Sequence, residues 1–180
     1  MLGARCDPGR GNIMTDTSAP GNPNPPQDPN GEKPAAPIMR VLGQYVKDLS
    51  FENPGHAPVQ SQPNIDLGID VGAAPHADGN GLFEVSLKLS AKAMADGKVM
   101  FISELDYAGL FQLQNVAQEQ LEPMLLIEAP RLLFPFARRI IAEITREGGF
   151  PPLLIDPVDF VALYQAQVRR ANAAGTPTQQ

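Results

Sequence analysis

The chain has 180 residues, of which 43% are hydrophobic and 19% charged, with a net charge of −6 at pH 7. This balance suits one globular domain with a hydrophobic core and flexible ends. The acidic charge argues against nucleic acid or anionic lipid as the main partner, because phosphates would be repelled. The sequence has neither a long apolar run nor an N-terminal apolar core, which predicts a cytoplasmic protein without membrane insertion.

The first 37 residues differ in composition from the rest of the chain. They hold eight of the 19 prolines and five of the 16 glycines, with few apolar side chains. Such a segment buries too little to offset its ordering entropy, so residues 1–37 are predicted to be a disordered tail. Met14 opens a stretch that reads like a natural start, and we hypothesise that residues 1–13 are a mis-assigned extension. Cys6, the single cysteine, would then lie outside the protein, and it permits no intrachain disulfide in any case.

Two strands are predicted next. In residues 38–51, the apolar side chains of Val41, Tyr45 and Leu49 alternate with polar ones, as in a strand with one buried face. Because this strand directly follows the tail, we expect it at a sheet edge, where it would be a template for self-association. A second, shorter strand is predicted over residues 65–71.

The clearest strand covers residues 83–93. Apolar and polar side chains alternate there without interruption, and a helical period of 3.6 would mix them. Asp96-Gly97 predicts a hairpin turn, and a fourth strand, residues 99–107, returns from it. We expect Gly109 to end the regular part of this strand.

Helical periodicity begins in the second half of the chain. One helix is predicted to start near residue 119 and to end at Pro130, which breaks the run. A second carries an apolar stripe over residues 133–144, with Pro135 in its first turn. The pair Gly148-Gly149 is predicted to end it, because glycine adopts positive φ readily.

A third helix is predicted from Val158 to about Ala171, with Asp156 as N-cap and Pro157 at its first position. Residues 172–180 are predicted to be a disordered tail. Four strands followed by helices indicate an α+β fold: a four-stranded antiparallel sheet with helices packed on one face, in a single domain over residues 38–171.

Patterns that carry enzymatic or metal chemistry are missing from the sequence. It contains no nucleophile elbow, no phosphate-binding loop and no H-E-x-x-H. His56 and His76 both lie among Pro, Gly and Asp, where an exposed loop histidine is the simpler interpretation. Asp66 and Asp70 share one strand face, where solvated charge is the simpler interpretation. We therefore expect no catalytic residues, no cofactor and no bound metal.

Apolar side chains are unusually frequent over residues 105–163. Residues 132–136 (LLFPF) and 150–155 (FPPLLI) place large side chains in segments interrupted by proline. Each such residue taken alone is more simply a core residue. Together they are also typical of a groove that takes an extended apolar peptide.

Three collinear segments resemble the SecB family of export chaperones: residues 44–58 (QYVKDLSFENPGHAP), 101–111 (FISELDYAGLF) and 128–164. The similarity extends from about Arg40 to Gln167. The resemblance implies a homotetramer, built as a dimer of dimers, that holds unfolded precursor proteins without ATP and delivers them to the translocation motor SecA.

Two binding sites follow from the same resemblance. The acids that match the family's SecA-docking surface are Asp48, Glu52 and Glu104, and all three fall on polar strand faces. We place the walls of a client-binding groove on Ile65, Leu67, Ile69, Phe111, Leu113, Leu126, Phe134, Phe136, Phe150, Leu153 and Leu154. Some of these residues must belong to the core, and the sequence does not separate them.

The sequence departs from the family pattern in three places. Ser61 stands where an aromatic residue is common, the N-terminal extension is longer, and the C-terminal tail is short and weakly acidic. Two alternative functions stay open. One is a SecB-like adaptor or toxin–antitoxin-associated chaperone with a narrow set of partners, and the other is a small-ligand enzyme with a pocket under the helices.

Overall fold

A computed structural model of the chain describes residues 36–55 and 62–174. Nearly all of the predicted N-terminal tail, with Cys6 and Met14, lies outside the described residues. So do His56, Ser61 and residues 175–180.

Four strands precede the helices in the described residues. They are β1 (Ile38–Glu52), β2 (Asn64–Pro75), β3 (Leu82–Ala95) and β4 (Lys98–Gln114), followed by α1 (Gln118–Pro123), a π-helical turn (Met124–Glu128), α2 (Ala129–Glu147) and α3 (Phe160–Ala174). The sheet is antiparallel with the order β1-β4-β3-β2. The predicted fold class is confirmed, as is the edge position of β1. None of the described helices combines the length and the apolar character needed to cross a membrane.

The sheet has an apolar face and a polar face, because side chains alternate along each strand. On the apolar face, called the inner face here, cross-strand rows such as Val71–Leu87–Tyr107–Val46 and Ile69–Leu89–Leu105–Leu49 run from β2 to β1. The helices pack on this face. The most deeply buried side chains of the resulting core are Leu87, Leu89, Leu105, Phe111, Leu133, Ile141 and Phe160.

Helix α2 lies close to β4 at Gly109. A Cβ atom at this position would lie 2.7 Å from the ring of Phe111 and 2.8 Å from a methyl group of Leu133. The prediction that Gly109 ends the strand is wrong: it pairs with Gln44 and Val85, and β4 continues for five more residues. The glycine therefore serves close helix–sheet packing and not strand termination.

Strand β1 contains two register shifts, between Val41 and Gly43 and between Val46 and Asp48. Each inserted residue inverts the alternation of faces. Tyr45 therefore lies on the outer face opposite Ala108, whereas Val41 pairs with Phe111 on the inner face. The prediction that Val41, Tyr45 and Leu49 share one face is wrong for Tyr45.

The helical path is continuous from Gln118 to Glu147, because α1, the π turn and α2 follow one another without a break. The prediction that Pro130 ends the first helix is therefore wrong. The N–H of Ala129 donates to the carbonyl of Met124, five residues back, and this wider turn gives the ring of Pro130 room that a regular α-turn would deny it. Pro135 lies inside α2 and not in its first turn. The predicted end at Gly148-Gly149 is confirmed, with Gly149 at φ 85°.

Helix α3 starts later than predicted. Asp159, and not Asp156, is its N-terminal cap, since its Oδ1 accepts hydrogen bonds from the N–H groups of Val161 (3.0 Å) and Ala162 (3.1 Å). The segment before it is fixed to α2 by Thr145, whose buried hydroxyl donates to the carbonyl of Ile141 and accepts from the N–H of Leu153, both at 2.9 Å.

Candidate functional site

The outer face of the sheet carries a cluster of acids that we call the acidic face. Three neighbouring rows, read from β2 to β1, are Asp70–Lys88–Asp106–Asp48, Gly68–Ser90–Glu104–Ser50 and Asp66–Lys92–Ile102–Glu52. They contain six carboxylates and two lysines. A depression of about 540 Å³ lies among these rows, and its lining includes Asp48, Asp70, Glu104 and Asp106. Such a surface attracts cationic partners.

The three predicted docking acids come together on this face. Asp48, Glu52 and Glu104 are all exposed, and they occupy the three adjacent rows. Asp48 stands directly opposite Asp106 across the β1–β4 pair, an arrangement of like charges that a cation would relieve. Asp106 accepts a hydrogen bond from the hydroxyl of Ser86 and lies 3.9 Å from Lys88.

A polar clamp at one end of the outer face joins β1 to β3 across β4. The carboxylate of Glu84 accepts hydrogen bonds from the hydroxyl of Tyr45 and from Lys47 Nζ, the latter at 2.6 Å. The hydrogen bond from Lys47, followed by that from Tyr45, lowers the pKa of Glu84, and the same carboxylate raises the pKa values of Lys47 and Tyr45. Because Lys47 offsets the charge of Glu84, the net negative charge concentrates in the three rows of the acidic face.

Three of the predicted groove residues are core residues of this protomer. Phe111 is fully buried, Leu113 is 6% exposed and Phe134 is 7% exposed. Phe134 packs edge-on against Phe160, with ring centroids 5.9 Å apart. These side chains offer almost no surface to a peptide while the core is intact.

Five of the predicted groove residues lie around one end of the inner face. Ile65 and Leu67 are 40% and 38% exposed on the edge strand β2, opposite Ala93 and Ala91 of β3. Phe150 and Leu153 pack on the buried cluster that contains these alanines, and Leu154, which directly follows Leu153 in the chain, is 66% exposed. We call these five residues the apolar edge patch.

The other three predicted groove residues lie elsewhere. Ile69 is half-buried against the core, and Phe136, 46% exposed, shares the outer surface of α2 with Leu132. Leu126 lines two adjoining depressions, one of about 410 Å³ between β2 and α1 and one of about 370 Å³ between α1 and α3. The predicted wall is thus not one continuous surface of the protomer.

The sequence predicts an exposed apolar edge at β1 that includes Val41 and Leu49, but it does not indicate that Leu42 and Val46 belong to the same exposed strip. Val41, Leu42, Val46 and Leu49 are each 39–53% exposed. Val46 was overlooked because the alternation was read straight through the bulges. Gly43, which lies at the first register shift, was the available signal, since a glycine inside a strand often marks a bulge.

The acids of the outer face do not form a metal centre. Among residues 36–55 and 62–174, no group of three or more His, Cys, Asp or Glu side chains could hold a metal ion.

Comparisons with known proteins agree with one another. The profile of the family described as preprotein translocase subunit SecB matches residues 32–171. The chain is 82% identical over 158 residues to a protein-export protein SecB of Hyphomonas neptunium, covering 88% of this chain and 93% of that protein. It is 56% identical over 156 residues to the SecB of Maricaulis maris, with 84% and 88% covered.

A solved structure shares the fold. The SecB-like chaperone of Mycobacterium tuberculosis, solved in complex with a peptide from the HigA1 antitoxin, superposes with a TM-score of 0.58 over 67% of this chain and 90% of that one. The two sequences are 13% identical, so this likeness concerns the fold alone.

Proposed function

The chain belongs to the SecB family, whose members are export chaperones and not enzymes, and we propose that it holds unfolded secretory precursors in the cytoplasm without ATP and delivers them to SecA. The observation that carries this proposal is that an acidic surface and an exposed apolar surface lie on opposite faces of one sheet. Among the described helices, only the end of α3 reaches the acidic face, at its β2 side, and the apolar edge patch lies on the opposite side of the sheet. A precursor and a cationic motor surface can therefore bind at the same time without overlap.

The apolar edge patch suits clients of many sequences. Its side chains are aliphatic or aromatic, so affinity comes from buried area and not from a fixed pattern of hydrogen bonds. Fully burying one large apolar side chain contributes about 1.5–3 kcal/mol. Several such contacts along an extended segment of an unfolded precursor would hold it without a specific sequence code.

The proposed function is tested by mixing the purified protein with several unrelated precursors diluted from denaturant. We expect aggregation, followed by light scattering, to be suppressed for all of them, and the held precursors to pass to SecA. A protein that protected a single partner and no others would be an adaptor with a narrow partner set, which would contradict the proposal.

In the same assay, the double variant Leu67→Ser with Leu154→Ser should bind precursors at least about tenfold more weakly, because a loss of 1.4 kcal/mol already has that effect. Each single variant should weaken binding less. Met94→Ser is the matched control, since Met94 is 37% exposed at the same end of the sheet but is not part of the apolar edge patch. Folding is checked by circular dichroism. Wild-type affinity in the folded double variant would remove the patch from the client site.

Self-association is the second part of the proposal. An edge strand with unpaired backbone groups and the exposed side chains of Val41, Leu42, Val46 and Leu49 is a template for pairing with another copy. We expect the chain to form a dimer of dimers at micromolar concentration.

A double variant in which both Val46 and Leu49 are replaced by lysine should dissociate the assembly, since charged side chains on an edge strand oppose strand pairing. Native mass spectrometry and multi-angle light scattering measure the state. The corresponding change at Ile65 and Leu67 of the other edge strand, β2, is the control and should leave the mass unchanged. A wild-type chain that stays monomeric would contradict this expectation.

A further inference from the structure

The C-terminal half of α3 reaches the acidic face from the side of β2. The amide Nε2 of Gln167 donates a hydrogen bond to Asp70 Oδ1 at 3.1 Å. Arg170, one turn further, lines the same depression as Asp48, Asp70, Glu104 and Asp106. Gln167 and Arg170 are three residues apart and thus neighbours on one side of the helix. A cationic side chain of the protein itself therefore lines the depression that a basic partner would enter.

The charge of α3 is suited to this contact. Its sequence from Phe160 to Ala174 contains Arg169 and Arg170 and no acidic residue. The helix is anchored at its other end, where Phe160 is buried and Leu163 and Tyr164 are partly buried against the core. Residues 169–172 are exposed. The last turns can thus leave the acidic face without disturbing the core.

We propose that the last turns of α3 are an internal competitor for the acidic face, with Arg170 as the competing charge and Gln167 as the residue that positions it. This inference rests on the proposed docking of a basic partner to that face. Binding of the partner must displace Arg170, so the affinity measured for the whole protein is lower than the affinity of the uncovered face.

Replacement of Arg170 by the uncharged residue glutamine tests the competition against a matched control, Arg169→Gln. Both changes remove one positive charge, but Arg169 does not line the depression. We expect Arg170→Gln to bind SecA and an oligolysine peptide about two- to fivefold more tightly than Arg169→Gln at low ionic strength, which is the range of an exposed ion pair. The difference should shrink as salt is added.

Gln167→Ala provides a second test, because it releases the contact with Asp70 without changing the charge. We expect Gln167→Ala also to bind SecA and oligolysine more tightly than the wild type. Amide hydrogen exchange in the last turns of α3 should be faster in both Gln167→Ala and Arg170→Gln. Exchange that stays at the wild-type rate in both variants would overturn the proposal.

The outcomes separate this inference from the docking proposal on which it rests. Equal affinities for Arg169→Gln and Arg170→Gln, together with weaker binding when Glu104 is replaced by lysine, would overturn the competition and leave the docking face standing. Failure of the wild type and of every variant to bind SecA or oligolysine would remove the docking face itself, and the competition with it.

Discussion

Replacing Phe111 with alanine is expected to lower the free energy of unfolding by about 3–5 kcal/mol, the cost of deleting a buried aromatic side chain and leaving a cavity. Phe111 is fully buried between its strand neighbours Val41 and Phe83 and the overlying helix α2. The total free energy of unfolding of a typical domain is only about 5–15 kcal/mol, so the variant should be marginally folded.

Urea denaturation followed by circular dichroism measures this effect, at one fixed protein concentration because assembly stabilises the folded chain. Leu154→Ala is the control. The Leu154 side chain is 66% exposed, so the free energy of unfolding of this variant should differ little from that of the wild type. A Phe111→Ala protein within about 1 kcal/mol of wild type would mean that the ring lies outside the core and belongs to the groove after all.

Charge reversal at Glu104 is expected to weaken SecA docking on the order of tenfold or more at low salt. Glu104 lies in the middle of the three acidic rows, so a lysine there would place a positive charge at the centre of the surface that must attract a cationic partner. Holding of precursors should be unaffected, because the apolar edge patch is on the other side of the sheet.

Isothermal titration calorimetry at two salt concentrations measures the docking. Glu147→Lys is the matched control, since it makes the same change in net charge at an exposed site at the end of α2. The control should bind SecA nearly as wild type does. If Glu104→Lys bound as well as Glu147→Lys, the acidic face would not be the docking surface.

The fold was largely predictable because β3 shows strict alternation of apolar and polar residues and because an Asp-Gly pair between two such segments indicates a hairpin turn. Asp96 and Gly97 do adopt the positive φ values, 50° and 73°, that a tight hairpin turn needs. The errors lie where backbone geometry departs from a simple period. The bulges of β1 and the π turn before Pro130 insert one residue each into a repeat, and nothing in a period count reveals them.

The two candidate surfaces differed in how far sequence could define them. The docking acids follow from the family resemblance, and strand alternation agrees with it by placing Asp48 and Glu52 on one face of β1 and Glu104 on the polar face of β4. The pairing of β1 with β4 then brings the three acids onto one face of the sheet. The groove was not separable from the core, because burial of an apolar residue depends on where α2 lies across the sheet. Phe134 and Phe136 are two residues apart on one helix, yet one is 7% exposed and the other 46%.

The strand order has a consequence for the newly made chain. Of the four described strands β1 is synthesised first, but the strand it pairs with in the described sheet is β4, which follows β2 and β3. The meander from β2 to β4 is local and should form early, whereas the β1–β4 pairing closes a long loop and should form late. We therefore expect the apolar side chains of Val41, Leu42 and Val46 to stay unpaired during synthesis until β4 has been made. The neighbouring charges of Arg40, Lys47 and Asp48 oppose aggregation of the exposed segment in that interval. The chaperone is thus, for a short time, a polypeptide with the same hazard as its clients.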